Sequence, residues 1–269
     1  MSKLSESHRS RSEFIRRLVQ SPQHNVISSG PRVPQKIVQF WHDLQSLPSD
    51  VSTCIQSWRK WNRSGFDHHL FDLPEAGNFI YSKLGQRYRK AFERCYHPAM
   101  QADYFRLCYL RVEGGIYIDA DDVCTASDIS WLIQDARLKL QPLCYDTSTN
   151  SMVEPAMFLH SDIDRLNWIF YFNNNPLIAG ANHPVITRAL EQATSLLESS
   201  DNELPEIQSA TGPGNLSRAV YELGTLDGSD IARDVFVMKE WNAIATTQWP
   251  LSYRNDERNW RLSNQKRFP

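Results

Sequence analysis

Short apolar runs alternate with amphipathic segments along most of the chain, and this alternation predicts strands followed by helices. Runs rich in β-branched and aromatic residues, bounded by polar or Gly/Pro positions, are typical of buried strands. They lie at 37–42, 66–72, 116–118, 139–146, 154–160 and 164–183, with further strands and loops over 234–256. Apolar residues at helical spacing predict helices at 49–62, 76–95, 98–113, 129–134, 184–200 and 213–224. This order predicts an α/β fold with a mostly parallel central sheet flanked by helices.

A Gly/Pro-containing segment at 28–34 separates the first residues from the first predicted strand. We therefore predict an N-terminal tail over 1–32, which includes a short helix from about Glu13 to Gln20. A single domain is predicted over 33–269, a length that suits one large α/β domain.

Charge and cysteine usage narrow the classes of protein. The formal net charge is −2, so no overall basic field predicts a nucleic-acid partner. No apolar run reaches the roughly 18 residues that predict a transmembrane segment. The five cysteines are scattered without a CxxC pair, which favours small core residues in a reducing, cytoplasmic compartment; a secreted effector is the alternative. The basic stretch 83–94 predicts either a solvated helix face or a peripheral contact with an acidic acceptor or membrane surface.

The stretch "GGIYIDADDVC", residues 114–124, places three carboxylates directly after a buried strand. If the strand continues, Asp119 and Asp121 point to the same face, because side chains alternate with a period of two. Two hard oxygen ligands on one face suit magnesium or manganese, which keep open positions for water or phosphate. The alternative is a solvated acidic turn, and an isolated DxD triplet does not distinguish the two.

A longer pattern around these carboxylates resembles a known family. The segment "MQADYFRLCYLRVEGGIYIDADDVC" resembles the DxD region of glycosyltransferase family thirty-two, which contains yeast-type α-1,6-mannosyltransferases and bacterial capsule enzymes, and of the related glucosylating domains of large clostridial toxins. The matching positions are Asp103, Arg106, Gly114, Gly115, Tyr117, Asp119 and Asp121. Weaker likeness extends over about 34–220, and the last fifty residues match poorly.

The resemblance implies a GT-A fold and roles for the acidic motif. It implies that Asp121 is the main metal ligand and that Asp119 contacts the ribose, or the metal through a water molecule. It directs Asp103 and Arg106, three apart on one helix, towards the donor sugar and its diphosphate; a helix-surface ion pair is the alternative. Asp122 departs from the usual apolar residue, and we read it either as a carboxylate behind the pair or as an exposed one.

Other residues receive roles from the same resemblance. Trp41 is expected to stack on the donor base, with core packing as the alternative. Tyr117 is expected to direct its hydroxyl at the ribose, and core packing competes equally. One asparagine of 173–175, assigned here as Asn174, is expected near the reacting sugar, whereas a polar turn is the alternative. Near the C-terminus no histidine follows His183, so the substitutes available to the metal or the diphosphate are Thr247, Gln248, Trp249, Ser252 and Tyr253.

Together with these features, the resemblance implies a metal-dependent glycosyltransferase that uses a nucleotide diphosphate sugar, with uridine favoured as the base. A divalent manganese or magnesium ion would neutralise the leaving diphosphate. Transfer to a glycan, small-molecule or protein hydroxyl is expected to retain the anomeric configuration. A bacterial enzyme of polysaccharide biosynthesis fits this prediction, and a non-catalytic nucleotide-sugar or glycan-binding module is the alternative.

Overall fold

The computed structural model describes residues 6–22, 30–159, 166–200, 203–226, 230–247 and 250–268. The helices are α1 Glu6–Gln20, α2 Ser49–Arg59, α3 Leu73–Leu84, α4 Gln86–Glu93, α5 Pro98–Val112, α6 Pro155–Phe158, α7 Pro184–Ser199, α8 Ile207–Ala210, α9 Pro213–Leu226, α10 Ile231–Asp234 and α11 Trp260–Ser263. The strands are β1 Lys36–Phe40, β2 Asp67–Phe71, β3 Gly115–Tyr117, β4 Asp122–Cys124, β5 Leu138–Asp146, β6 Ser151–Met152, β7 Trp168–Ala179, β8 Val235–Val237 and β9 Ala245–Thr247. Short 3-10 helices span Lys60–Ser64, Ser130–Ile133, Trp241–Ala243 and Ser252–Asn255.

The central sheet has the order β2-β1-β3-β7-β5-β6, with β8 added beside β5. Strands β1, β2 and β3 are parallel, as are β5 and β8, whereas β7 is antiparallel to both β3 and β5. The described residues form seven strands in this sheet. Five of them run in one direction, and β6 and β7 run in the opposite direction. Helices pack around it, so the predicted α/β class with a mostly parallel sheet is confirmed. A separate small sheet pairs β4 with β9.

Helix α5 connects the periphery to the centre of the fold. His97 caps it, with its Nδ1 accepting from the Ala99 amide at 3.1 Å, and Pro98 occupies the first helical position, where no backbone donor is needed. Ten residues of α5 are buried, on several faces, because the helix lies between the sheet and the helices α3 and α7. This burial holds both Asp103 and Arg106 inside the molecule.

Two glycines turn the chain from α5 into β3. Gly114 and Gly115 have φ values of +67° and +116°, which L side chains rarely adopt. A Cβ at Gly115 would lie 2.9 Å from the carbonyl oxygen of Lys36, on the neighbouring strand. The turn therefore needs glycine both for its dihedral angles and for the close approach of β1 and β3.

The N-terminal helix is longer than predicted and contributes to the main core. It begins at Glu6 rather than near Glu13. Ile15 and Val19 are fully buried, and the Ser12 hydroxyl accepts a hydrogen bond from the Phe170 amide of β7 at 2.9 Å. The proposed domain boundary at 32/33 stays a prediction, but α1 packs on the sheet of the following residues.

Several local predictions are corrected. The strand predicted over 154–160 is not formed by its described residues 154–159, because Pro155 starts the short helix α6 instead; residue 160 lies outside the described residues. The predicted helix over 76–95 is two helices, α3 and α4, which Gly85 separates with a φ of +88°. Arg87 of α4 pairs with Glu191 and Glu198 of α7, so part of the basic stretch 83–94 is engaged within the fold.

Candidate active site

A cavity of about 310 Å³ opens at the carboxyl ends of β1 and β3. These parallel neighbours end at the same edge of the sheet, where ligands bind in many open α/β sheets. The chain that leaves β1 supplies Trp41 to the cavity, and the chain that leaves β3 supplies Asp119 and Asp121. Six of the predicted site residues line it: Trp41, Asp103, Arg106, Asp119, Asp121 and Asn174.

Arg106 is the centre of a buried polar network. Its Nη2 lies 2.8 Å from an oxygen of Asp103 and 2.8 Å from an oxygen of Asp119, and its Nη1 donates to the carbonyl of Asn174. Only 3% of the Arg106 side chain is exposed, so the surface ion pair considered from the sequence is excluded. The guanidinium also lies over the ring of Tyr117, 4.5 Å from its centroid, which adds a cation–π contact.

Strand β7 brings asparagines to the same edge. Its antiparallel register pairs Leu177 with Tyr117, so the chain of β7 passes Asp119 just beyond the end of β3. Asn174 Nδ2 donates to Asp103 at 2.8 Å, and Asn175 Oδ1 accepts from the Asp119 amide at 2.9 Å. The alternative of a polar turn over 173–175 is therefore wrong, because these residues belong to a strand.

The third carboxylate of the cluster points away from solvent. Asp122 is 1% exposed and accepts from Asn175 Nδ2 at 3.0 Å, so the exposed alternative is wrong. Asn175 thus ties Asp119 to Asp122. Burial, opposed by Arg106 and reinforced by the charges of Asp121 and Asp122, raises the pKa of Asp119.

Asp121 meets the C-terminal part of the chain. Its Oδ2 accepts a hydrogen bond from the Tyr253 hydroxyl at 2.6 Å and forms an ion pair with Arg254. Burial, with the Asp121 charge next in size, raises the pKa of Tyr253 well above its usual value, so the phenol remains a donor. Of the substitutes that the sequence offered, Tyr253 reaches the site, whereas Ser252 bonds to Asp50.

Gln248 and Trp249 lie outside the described residues, and nothing is described for the side chain of Thr247. Sequence reasoning missed Thr211, whose hydroxyl donates to Asp103 at 3.4 Å, and the arginines of the last segment. The turn pattern "TGPG" at residues 211–214 was the available sequence signal for Thr211. The three arginines within 254–261 were the available sequence signal for the cationic wall, although their spacing does not distinguish such a wall from a solvated surface.

The two aromatic candidates differ in position. Trp41 is 8% exposed, lines the cavity and contacts Tyr253 edge to face at a centroid distance of 5.2 Å. Tyr117 is fully buried beneath Arg106 and is not among the described residues that line the cavity. Its hydroxyl has no hydrogen-bond partner within the described part of the chain. Core packing thus accounts for its ring, and a role for the hydroxyl stays a prediction.

The residues present do not form a ready divalent-cation site. No group of three or more His, Cys, Asp or Glu side chains with metal-holding geometry occurs among the residues that the structure describes. Asp119 and Asp121, the predicted ligands, each already pair with a guanidinium. The described cavity wall carries four arginines and three aspartates, a formal charge of +1. This differs from the carboxylate-rich lining that hard cations require.

Comparisons with known proteins place this site in context. Residues 48–138, about a third of the chain, match the family model described as the glycosyltransferase sugar-binding region containing the DXD motif. The chain is 30% identical over 93 residues to an uncharacterised glycosyltransferase of Acanthamoeba polyphaga mimivirus, which is 34% of this chain and 37% of that protein. The chain thus matches little more than a third of the length of that relative.

A solved structure described as the PaToxG glycosyltransferase is similar at a TM-score of 0.49 and 15% identity, covering 94% of this chain and 92% of its own. The segment that matches the family contains Asp103, Arg106, Asp119 and Asp121. All four line the cavity, so the similarity to the sugar-binding region falls on the side chains of the candidate site.

Among the described residues, none of the helices combines the length and apolar character that crossing a bilayer demands.

Proposed function

We propose that the chain is a glycosyltransferase that moves a sugar from a nucleotide diphosphate sugar to an acceptor hydroxyl. One observation carries this proposal. The matched sugar-binding region brings Asp103, Arg106, Asp119 and Asp121 into a single cavity at the carboxyl edge of the sheet. A GT-A organisation and membership of glycosyltransferase family thirty-two are part of the same proposal.

The network around Arg106 gives the cavity a rigid polar floor. Asp103 and Asn174 are held to each other and to Arg106, so their remaining lone pairs and N–H groups have defined directions. Such groups suit the hydroxyls of a donor sugar, because fixed donors and acceptors lose little entropy on binding. Trp41 offers an aromatic surface in the same cavity, where a nucleobase or ribose can pack.

The reaction that this floor supports is substitution at the anomeric carbon. The bond from that carbon to the diphosphate oxygen breaks with its electron pair, and the acceptor oxygen forms the new bond. The acceptor attacks from the face on which the diphosphate leaves, so the anomeric configuration is retained. The acceptor proton passes to a phosphate oxygen of the leaving group. Because the leaving group gains negative charge, the positive side chains that line the cavity stabilise the transition state.

The donor and the acceptor are further proposals. A uridine nucleotide is favoured through the toxin-like pattern, and the acceptor is a glycan, small molecule or protein hydroxyl. A cytoplasmic bacterial enzyme of polysaccharide biosynthesis fits this chemistry best, with a secreted effector as the alternative. The predicted metal dependence is not supported by the ion pairs of the expected ligands, because Asp119 pairs with Arg106 and Asp121 pairs with Arg254.

The test is a donor screen on the purified chain. Release of the nucleoside diphosphate and formation of a glycosylated product are measured by mass spectrometry with UDP- and GDP-sugars. Asp121→Asn is expected to lower turnover at least tenfold. Asp230→Asn is the matched control, because Asp230 also pairs with an arginine but is exposed and is not among the described residues that line the cavity. Donor binding without any hydrolysis or transfer would instead indicate the non-catalytic binding module, for which the full pairing of both carboxylates is the supporting observation.

A further inference from the structure

The C-terminal segment 250–268 contributes its own positive charge to the candidate site. Three of its arginines, Arg254, Arg258 and Arg261, line the cavity, and Arg254 pairs directly with Asp121. Asp121 is the residue that the sequence pattern assigns to a metal ion. A guanidinium from the protein therefore occupies the place at this carboxylate that the DXD pattern would give to a divalent cation.

The fold holds Arg254 at this place from both sides. Ser252 is tied to the carboxylate of Asp50 through its amide at 2.7 Å and its hydroxyl at 3.1 Å. On the other side, Asn259 Nδ2 donates to the Arg254 carbonyl at 2.7 Å. The side chains of Arg254 and Asp121 are only 10% and 12% exposed. The pair is therefore built into the wall of the cavity.

Further along the segment, the anchors continue. Ser263 Oγ lies 2.8 Å from His97 Nε2, and the Phe268 amide donates to the Tyr96 carbonyl at 2.9 Å. These contacts join the end of the described chain to the residues that precede α5. They keep Arg258 and Arg261 on the same wall as Arg254.

The charges on this wall are arranged for an anion. The described lining contains four arginines and three aspartates, and Arg258 also pairs with Asp256 at 2.6 Å. Burial, and next the repulsion from the nearby Arg254, lowers the pKa of Arg261, while Tyr253, Tyr171 and Asp121 oppose the shift. A diphosphate relieves this repulsion, and a guanidinium offers it two parallel N–H donors.

We propose that Arg254, with Arg258 and Arg261, binds the diphosphate of the donor, and that nucleoside diphosphates bind this chain without a divalent cation. The proposal rests on the proposed function, because it assigns the diphosphate of that donor to this wall. Arg254 then bridges Asp121 and the phosphate oxygens, and it stabilises the charge that develops on the leaving group.

The test measures binding of UDP and GDP by calorimetry, in EDTA and in manganese, without any turnover. The unchanged chain is expected to bind one of the two nucleotides in EDTA, with a Kd within about threefold of its value in manganese. Arg254→Met is expected to weaken that binding about tenfold or more in EDTA, and Arg254→Lys by less, because charge is kept but the bidentate geometry is lost. Arg233→Met is the matched control, since Arg233 pairs with Asp230 at the exposed surface, and it should leave Kd unchanged.

Two results would overturn the proposal in distinguishable ways. If the unchanged chain binds nucleotide only in manganese, and Arg254→Met binds equally well or better there, the cation site is real and only this inference fails. If neither nucleotide binds under either condition, the proposed function fails as well. Should Arg254→Met not fold, as judged by circular dichroism, the EDTA comparison on the unchanged chain and Arg254→Lys decide the question.

Discussion

Asn174 donates a hydrogen bond of 2.8 Å to Asp103, which lies 71 residues earlier in the chain, and this contact joins β7 to α5 at the floor of the cavity. Burial raises the pKa of Asp103, while Arg106 and Asn174 oppose the shift. The carboxylate thus depends on its partners to stay charged inside the protein.

We expect Asn174→Ala to destabilise the fold by about 1–3 kcal/mol, because it leaves one oxygen of a buried carboxylate without its amide donor. Urea unfolding measures the free energy of unfolding directly. Asn173→Ala is the control, because Asn173 lies next to Asn174 on β7. Its amide donates to Gln141 of β5 in a partly buried contact rather than to a buried carboxylate. Equal effects of the two changes would contradict the assigned role of Asn174.

Removing the charge of Arg106 should have a larger effect. Arg106→Met leaves both Asp103 and Asp119 without their guanidinium, and breaking a buried pair from one side costs roughly 3–5 kcal/mol. The double change Arg106→Met with Asp119→Asn is expected to recover part of that loss, because one uncompensated charge disappears. A double-mutant cycle from chemical denaturation tests this, and strict additivity of the two changes would speak against the coupling.

The glycine turn before β3 provides a steric test. Gly115→Ala is expected to lower the free energy of unfolding by about 3 kcal/mol or more, because strain at φ +116° adds to a Cβ contact of 2.9 Å with the Lys36 carbonyl. Gly85→Ala shares the positive φ but meets no atom within 4 Å, so a loss of only about 1–2 kcal/mol is expected. Thermal and urea unfolding of both variants separate strain from steric overlap.

The half-buried His68 and the buried His97 predict acid sensitivity. Burial, with the Arg59 charge second, lowers the pKa of His68 to about 4, and burial also lowers that of His97. As the pH falls below about 6.5, the unfolded chain binds protons that the folded chain refuses, so stability decreases through this window down to about pH 4. His68→Gln should flatten the fall of Tm between pH 6.5 and 4.5. His69→Gln, which alters an exposed imidazole on the same strand, is the control, and an unchanged slope in His68→Gln would refute the assignment.

The N-terminal helix offers a test of the domain boundary. A chain that begins at Val33 removes Ile15 and Val19 from the main core and the Ser12 bond from β7. We expect such a chain to be strongly destabilised or insoluble, since burying two aliphatic side chains contributes about 3–6 kcal/mol. Ser12→Ala should cause a smaller loss. A stable, cooperatively unfolding chain from Val33 would support the boundary at 32/33 instead.

The local pattern of apolar and polar residues was sufficient to predict secondary structure where nearby residues in the sequence determine it. The alternation of apolar runs with capped amphipathic segments predicted α2, α5, α7 and the central strands, and Cys108 and Cys124 are buried as predicted. It failed over 154–159, where Pro155 starts a helical turn within an apolar run that resembles a strand. Periodicity cannot separate a short buried helix from a strand of the same length.

The amino-acid sequence by itself determined the α/β order of elements and the Gly-Gly turn into β3, and the family resemblance of residues 100–124 implied that Asp103, Arg106, Asp119 and Asp121 share one site. Those residues lie within 19 positions of one another and on adjoining elements, so their proximity follows from one helix and one strand. Only the tertiary structure decided that Asn174, predicted near the sugar, bonds to Asp103, that Asn175 and Thr211 complete the network, and that Arg254 pairs with Asp121 across 133 residues. Long-range pairing of charges depends on how distant segments pack, which no local pattern in the sequence encodes.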